Sequence, residues 1–126
     1  MAVRVMVVDD TDHVRTMLAE MLALDGFDVV ARAGSGEDAV RQAVETEPDV
    51  IVMDLKMPGM DGLETTRRIK EDRPSQPVIL YTAYLDPTIE AEAREAGVTL
   101  CLGKIDGLPE LERQISRLTL ELAGDA

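Results

Sequence analysis

The sequence predicts a doubly wound α/β fold, a five-stranded parallel sheet of order 2-1-3-4-5 with helices on both faces. Three observations carry this expectation. Short β-rich runs alternate five times with segments of helical period. The first, third and fourth runs are almost continuously apolar, as strands covered on both faces must be. The connections are short, and parallel strands need crossovers that helices supply.

Val3–Val8 reads as the first strand and runs into Asp9, Asp10, Thr11 and Asp12. Val14, Met17, Leu18, Met21 and Leu22 then recur at the 3.6 period and predict a helix with one apolar stripe. Asp28–Arg32 is the second strand, leading into Ala33-Gly34-Ser35-Gly36, which offers no charge. Ser35-x-x-Asp38 is a capping-box pattern ahead of a second helix whose stripe is Ala39, Val40, Ala43 and Val44. The third strand, Val50–Met53, ends on Asp54, and a third helix begins at Asp61 with Glu64 at the reciprocal capping position. Pro77–Tyr81 is the fourth strand, closed by Thr82, and Asp86-Pro87 starts a fourth helix in cap-then-proline order. That helix has only Ile89 and a few alanines on its apolar face, so it is expected to bury little and to be the most mobile element. Val98–Leu102 is the fifth strand, Lys104 stands just beyond it, and Leu108, Leu111, Ile115, Leu118 and Leu122 mark the last helix.

At 126 residues the chain reads as one domain, 1–126, without repeat or linker. Aromatics are only 2%, so the core must come from Val, Ile, Leu, Met and Ala. The net charge of −12 opposes contact of this domain with nucleic acid or an anionic membrane surface, and reads first as a means of solubility. No apolar run approaches the ~18 residues of a membrane span, and the N-terminus lacks a secretory layout. A single cysteine, Cys101, can form neither an intramolecular disulfide nor a zinc cluster, which suits a reducing cytoplasm.

In such sheets the functional groups gather at the carboxyl ends of the strands. Here these are Asp9 and Asp10, Asp54, Thr82 and Lys104, on four strands that the order makes contiguous. Two unit charges ~4 Å apart repel by about 4 kcal/mol at an effective dielectric near 20, so clustered carboxylates call for a cation. Hard oxygen ligands in a water-accessible cluster suit Mg²⁺ (or Mn²⁺), and the absence of a partnering His or Cys disfavours zinc. Asp12 reads instead as a cap on the first helix and a match to its positive end. A carboxylate held against a divalent ion with one oxygen free can attack a phosphoryl group and form an aspartyl phosphate. Lys104 would then offset the charge on the phosphoryl oxygens and Thr82 would donate its hydroxyl.

These residues in this order resemble the receiver domain of two-component response regulators over essentially the whole chain. The resemblance rests on Asp9-Asp10, on Asp54 within Met53-Asp54-Leu55-Lys56-Met57-Pro58-Gly59-Met60-Asp61-Gly62, on Thr82-Ala83 and on Lys104. It implies a (βα)5 flavodoxin-like fold with Asp54 as phosphoacceptor. It implies that Asp10, Asp54 and the Lys56 carbonyl ligate Mg²⁺ and that Asp9 acts through water. Thr82, the Ala83 N–H and Lys104 would contact the phosphoryl group. Pro58, Gly59 and Gly62 would shape the loop. The family takes its phosphoryl group from a histidine kinase or slowly from acetyl phosphate, and catalyses its own dephosphorylation. Its surface around the fourth helix, fifth strand and fifth helix meets a downstream protein or an output domain, and a homodimer stays open.

The chain departs from that pattern in places. Cys101 stands where receivers carry Tyr or Phe, so coupling from Thr82 to that surface is expected to be weaker. Ile105 replaces the proline after Lys104, and a cis bond before a non-proline costs about 3–4 kcal/mol, so a trans peptide is expected. Lys56 and Tyr84 flank the path of attacking water, which predicts a phosphoryl lifetime longer than a minute. His13 reads as an exposed helix residue. The alternative function is an atypical receiver that binds proteins independently of phosphorylation. A phosphohydrolase would need an acid at Lys56, and a flavin carrier would need a phosphate-cradling loop where the acids stand. The end of the chain after LELAGDA fits a stand-alone regulator or an excised N-terminal receiver.

Overall fold

The computed structural model describes residues 2–124, with side chains to residue 121. The strands are β1 (Arg4–Val8), β2 (Asp28–Ala33), β3 (Val50–Met53), β4 (Val78–Thr82) and β5 (Leu100–Gly103). The helices are α1 (Asp12–Leu24), α2 (Gly36–Thr46), α3 (Gly62–Asp72), α4 (Pro87–Ala96) and α5 (Leu108–Gly124). A short 3-10 turn, Lys104–Asp106, follows β5. All pairings are parallel and the order is β2-β1-β3-β4-β5, as the sequence predicts.

Alternation along each strand splits the core into two layers. Met6, Val8, Ile51, Met53, Val78 and Leu80 face α2, α3 and α4, where Ala39, Ala43, Leu63, Ile69, Ala93 and Ala96 meet them. Val5, Val7, Val50, Val52, Ile79 and Tyr81 face α1 and α5, against Leu18, Ala19, Leu22, Leu111 and Ile115. The fourth helix buries only Ala93 and Ala96, the small area that its composition implies.

The stripe expected on α1 is too wide. Leu18, Ala19 and Leu22 are buried, whereas Met17 and Met21 are 59% and 42% exposed. A helix lying flat on a sheet covers a narrow arc, and Ala19 lets it approach closely, so the methionines fall on its flank. Val44 is exposed on α2 for the same reason. The side chain of Leu122 lies outside the described residues.

The helix starts follow the sequence, with one-sided caps. Ser35 Oγ accepts from Asp38 N–H at 3.2 Å, but the Asp38 carboxylate turns to Arg41 and Gln42. Asp61 Oδ1 accepts from the N–H groups of Leu63 and Glu64, while Glu64 pairs with Arg67 and Arg68. Asp86 caps α4 through Ile89 N–H at 2.8 Å. Asp12 does not cap α1: the cap position is Thr11, and Asp12 is the acid of the first turn. There it complements the positive end of the helix.

Candidate functional site

Strand register assembles the site. Val8 lies opposite Met53, and Asp54 N–H donates to the Val8 carbonyl at 3.0 Å. The next residue on each strand is an acid, so Asp9 and Asp54 leave the sheet side by side. With Asp10, their carboxylates offer oxygens that all lie within 4.8 Å of one another. Asp9 and Asp54 are buried, and Asp10 reaches solvent.

Lys104 reaches the same point from β5. Its strand ends opposite Thr82, and the 3-10 turn begins at once. Gly103 N–H donates to Asp106 Oδ2 at 3.1 Å, and Gly107 at φ +86° lets the chain leave the turn. The Lys104 Nζ lies 3.3 Å from Asp9 Oδ2 and 3.7 Å from Asp54 Oδ1. No cis peptide occurs among the described residues, so the Lys104–Ile105 bond is trans. Ile105, next in the chain, is 97% exposed.

Burial, followed by the charge of Asp9, pushes the Asp54 carboxyl above the usual carboxylate range. Lys104 and a hydrogen bond from the Leu55 backbone oppose the shift, and Asp10 adds to it. Charges ~5 Å apart repel by about 3 kcal/mol at an effective dielectric near 20. One lysine shared among three acids leaves the cluster short of positive charge. Three oxygen donors, one of them open to water and none accompanied by His or Cys, fit a hard divalent cation such as Mg²⁺ or Mn²⁺.

The loop after β3 folds back on Asp54. Gly62 N–H donates to the Leu55 carbonyl at 2.8 Å, and a Cβ on Gly62 would lie 2.1 Å from the Asp54 carbonyl oxygen. Glycine is therefore required there by the approach of backbone. Gly59 is required by conformation, with φ at +76° and open space around it. Leu55 and Met57 are buried and anchor the loop, leaving Lys56 exposed between them.

Thr82 is fully buried, and its Oγ1 accepts from Tyr84 N–H at 3.1 Å, which turns the chain after β4. Ala83 follows it at the surface. The Lys56 Nζ stands over the Tyr84 ring, 5.2 Å from its centroid. Cys101 lies opposite Leu80, partly buried against the layer that includes Ile89 and Val98. Burial, then the charge of Glu90, raises its thiol pKa. Beside it is a hollow of about 280 Å³ lined by Glu90, Arg94, Val98, Thr99, Leu100 and Cys101. His13 is exposed.

Sequence reasoning passed over Arg15. Its Nη1 donates to the Asp9 backbone carbonyl at 2.7 Å, and its Nη2 pairs with Asp12 Oδ1 at 2.5 Å. The available signal was the i, i+3 spacing of Asp12 and Arg15. On an apolar-striped helix that spacing reads as an ordinary solvated pair.

Residues 5–116 match the family model described as the response regulator receiver domain. The chain is 41% identical over 114 residues to the response regulator GacA of Pseudomonas viridiflava, covering 90% of this chain and 53% of that protein. It is 38% identical over 122 residues to a protein-glutamate methylesterase/protein-glutamine glutaminase of Haloarcula marismortui, covering 95% of this chain and 32% of that one. This chain thus spans about half, or less, of the length of these curated relatives. Among solved structures it resembles a two-component response regulator of the LuxR family from Aurantimonas sp. SI85-9A1. That match has a TM-score of 0.91 and 31% identity, covering 96% of this chain and 87% of the other. The response regulator domain of Thermotoga maritima CheB matches with a TM-score of 0.86 and 30% identity, over 94% and 97% of the two chains.

Proposed function

The chain belongs to the response regulator receiver family, and from that premise we propose that Asp54 accepts a phosphoryl group from a histidine kinase in a Mg²⁺-dependent reaction. The observation that carries this reading is the meeting of Asp9, Asp10 and Asp54 within 4.8 Å, with Lys104 against two of them. Asp9, Asp10, Asp54 and the Lys56 carbonyl would hold the Mg²⁺ (or Mn²⁺). When bound, the ion offsets charge on the phosphoryl oxygens.

The chain's own groups carry the rest. An oxygen of ionised Asp54 attacks phosphorus, the O–P bond forms, and the P–N bond to the kinase histidine breaks with its electron pair returning to the imidazole. Burial favours the neutral acid, and Lys104 opposes it by stabilising the anion. Once the group is transferred, Lys104 pairs with the phosphoryl oxygens, and Thr82 and the Ala83 N–H donate to them. Hydrolysis of the acyl phosphate returns Asp54, with Lys56 and Tyr84 limiting the approach of water. We assign a lifetime longer than a minute. The output surface is formed by α4, β5 and α5, and meets a downstream protein or an output domain in the cytoplasm. No described helix is long and apolar enough to cross a membrane.

A second reading, a protein-binding module indifferent to phosphorylation, is favoured by the small Cys101 beside an open hollow. Beryllofluoride with Mg²⁺ separates the two. Amide shifts along α4 and β5 with altered partner binding support the switch, and unchanged spectra support the second reading. Phosphotransfer profiling against candidate kinases, with Asp54→Ala as control, identifies the donor.

A further inference from the structure

Of the three clustered acids, two have their carboxylates held by the protein. Asp9 Oδ1 accepts from Thr11 N–H at 2.9 Å and Oδ2 meets Lys104. Asp54 Oδ1 meets Lys104 at 3.7 Å. The Asp10 carboxylate makes no hydrogen bond or ion pair among the described residues, although its oxygen completes the cluster. Its position is set by the backbone on either side. That backbone is held within the turn by the Asp9 carboxylate on Thr11 N–H, and from α1 by Arg15, which reaches from the first turn to the carbonyl of Asp9 and to the carboxylate of Asp12.

We propose that Arg15 is a positioning residue for the metal-binding acids, its guanidinium fork fixing the turn from Asp9 to Asp12 so that Asp10 is presented toward Asp54. The inference rests on the reading of this cluster as a Mg²⁺ site. Space for the fork comes from the neighbouring strand end. A Cβ on Gly34 would lie 2.9 Å from Arg15 Nη1, and Gly34 is not among the positive-φ glycines. A methyl at 34 would therefore press on the guanidinium and displace it. Arg15 is only 19% exposed at its side chain, as a structural clamp should be. Its charge is matched by Asp12, so it need not repel the cation it helps to seat.

Charge and positioning predict opposite signs. If Arg15 acts on the site as a nearby cation, removing it tightens Mg²⁺ binding. If it positions Asp10, removing it weakens binding, by about tenfold on the scale of partners that orient metal ligands. Titration calorimetry with Mg²⁺ on the whole chain reads this directly, alongside melting in EDTA. Arg15→Ala is expected to weaken Mg²⁺ binding about tenfold. Arg15→Lys keeps the charge but loses the fork, so it is expected to remain several-fold weak. Gly34→Ala, which leaves Arg15 in place but crowds its guanidinium, is expected to shift affinity the same way. Unchanged or tighter binding in Arg15→Ala, or full recovery in Arg15→Lys, overturns the proposal. Lower melting in EDTA with unchanged affinity also overturns it, because that is the signature of a purely structural residue. Should the unaltered chain bind no Mg²⁺, the reading of the acid cluster fails first and this inference with it.

Discussion

Lys56 and Tyr84, two residues beyond Asp54 and Thr82, meet across the mouth of the site with the ammonium 5.2 Å from the ring centroid. The contact joins the loop after β3 to the loop after β4, and under the proposed function it would screen Asp54 from attacking water. An exposed cation–π pair is worth about 0.5–1 kcal/mol, which biases a closed mouth by roughly two- to fivefold. Lys56→Ala and Tyr84→Ala are each expected to shorten the phosphoryl lifetime by a factor of this size. The double variant should be no faster than the faster single one, since both remove one contact. Loss of phosphoryl label followed over time checks this, and additive effects would show that the two residues act separately.

Gly62 and Gly59 stand three residues apart in one loop, yet they serve different ends. A methyl at 62 would meet the Asp54 carbonyl at 2.1 Å, and backbone must move to admit it. Gly62→Ala is expected to lose about 1–3 kcal/mol by overpacking and to impair phosphorylation, because Asp54 itself shifts. Gly59→Ala meets nothing and is expected to cost about 1–2 kcal/mol of left-handed strain while retaining phosphorylation. Urea unfolding with acetyl phosphate labelling distinguishes them, and equal labelling in both variants contradicts the assignment.

Glu112 of α5 lies near Asp25, which closes α1. Burial, then the neighbouring Asp25 carboxylate, pushes the Glu112 carboxyl from 4.5 up to about 7, and its Oε2 is buried without a protein partner. Between these values the folded chain holds a proton that the unfolded chain has released. Stability from this group therefore falls as pH rises from 4.5 to about 7 and is level above. Glu112→Gln is expected to flatten that slope and to melt higher than the unaltered chain at about pH 8. Identical melting profiles across the range would remove Glu112 as the cause.

Cys101 lines a hollow of about 280 Å³, so a ring at this position has somewhere to go. Cys101→Tyr is expected to change stability by less than about 1 kcal/mol, where a tight core would lose 1–3. It should also enlarge the beryllofluoride-induced shifts at Glu90 and Arg94, the residues across the hollow. With the natural cysteine, burial keeps the thiol protonated and alkylation at neutral pH slow. A destabilised variant with no added shifts would show that the hollow does not serve as the switch pocket.

The parts legible in the sequence were those that strand order dictates. Four of the five runs end at or beside Asp9, Asp54, Thr82 and Lys104, and register alone sets Asp9 beside Asp54 and the end of the strand before Lys104 opposite Thr82. The cap residues Ser35, Asp61 and Asp86 were equally readable, each acting locally. What escaped depends on contacts between distant segments. Arg15 with Gly34 joins α1 to the end of β2, and Glu112 with Asp25 joins α5 to the end of α1. Neither pair has a periodicity to betray it. The 3-10 turn after β5 escaped because its three residues have no apolar pattern, only glycines on either side.

The central claim is that Asp54 is the residue that receives phosphorus, and peptide mass spectrometry after acetyl phosphate with Mg²⁺ tests it most directly. One added phosphoryl group is expected on the peptide holding Asp54, absent when EDTA replaces Mg²⁺ and absent in Asp54→Asn. Phosphoryl mass on His13 or any other residue, or labelling of Asp54 that ignores the metal, would contradict it.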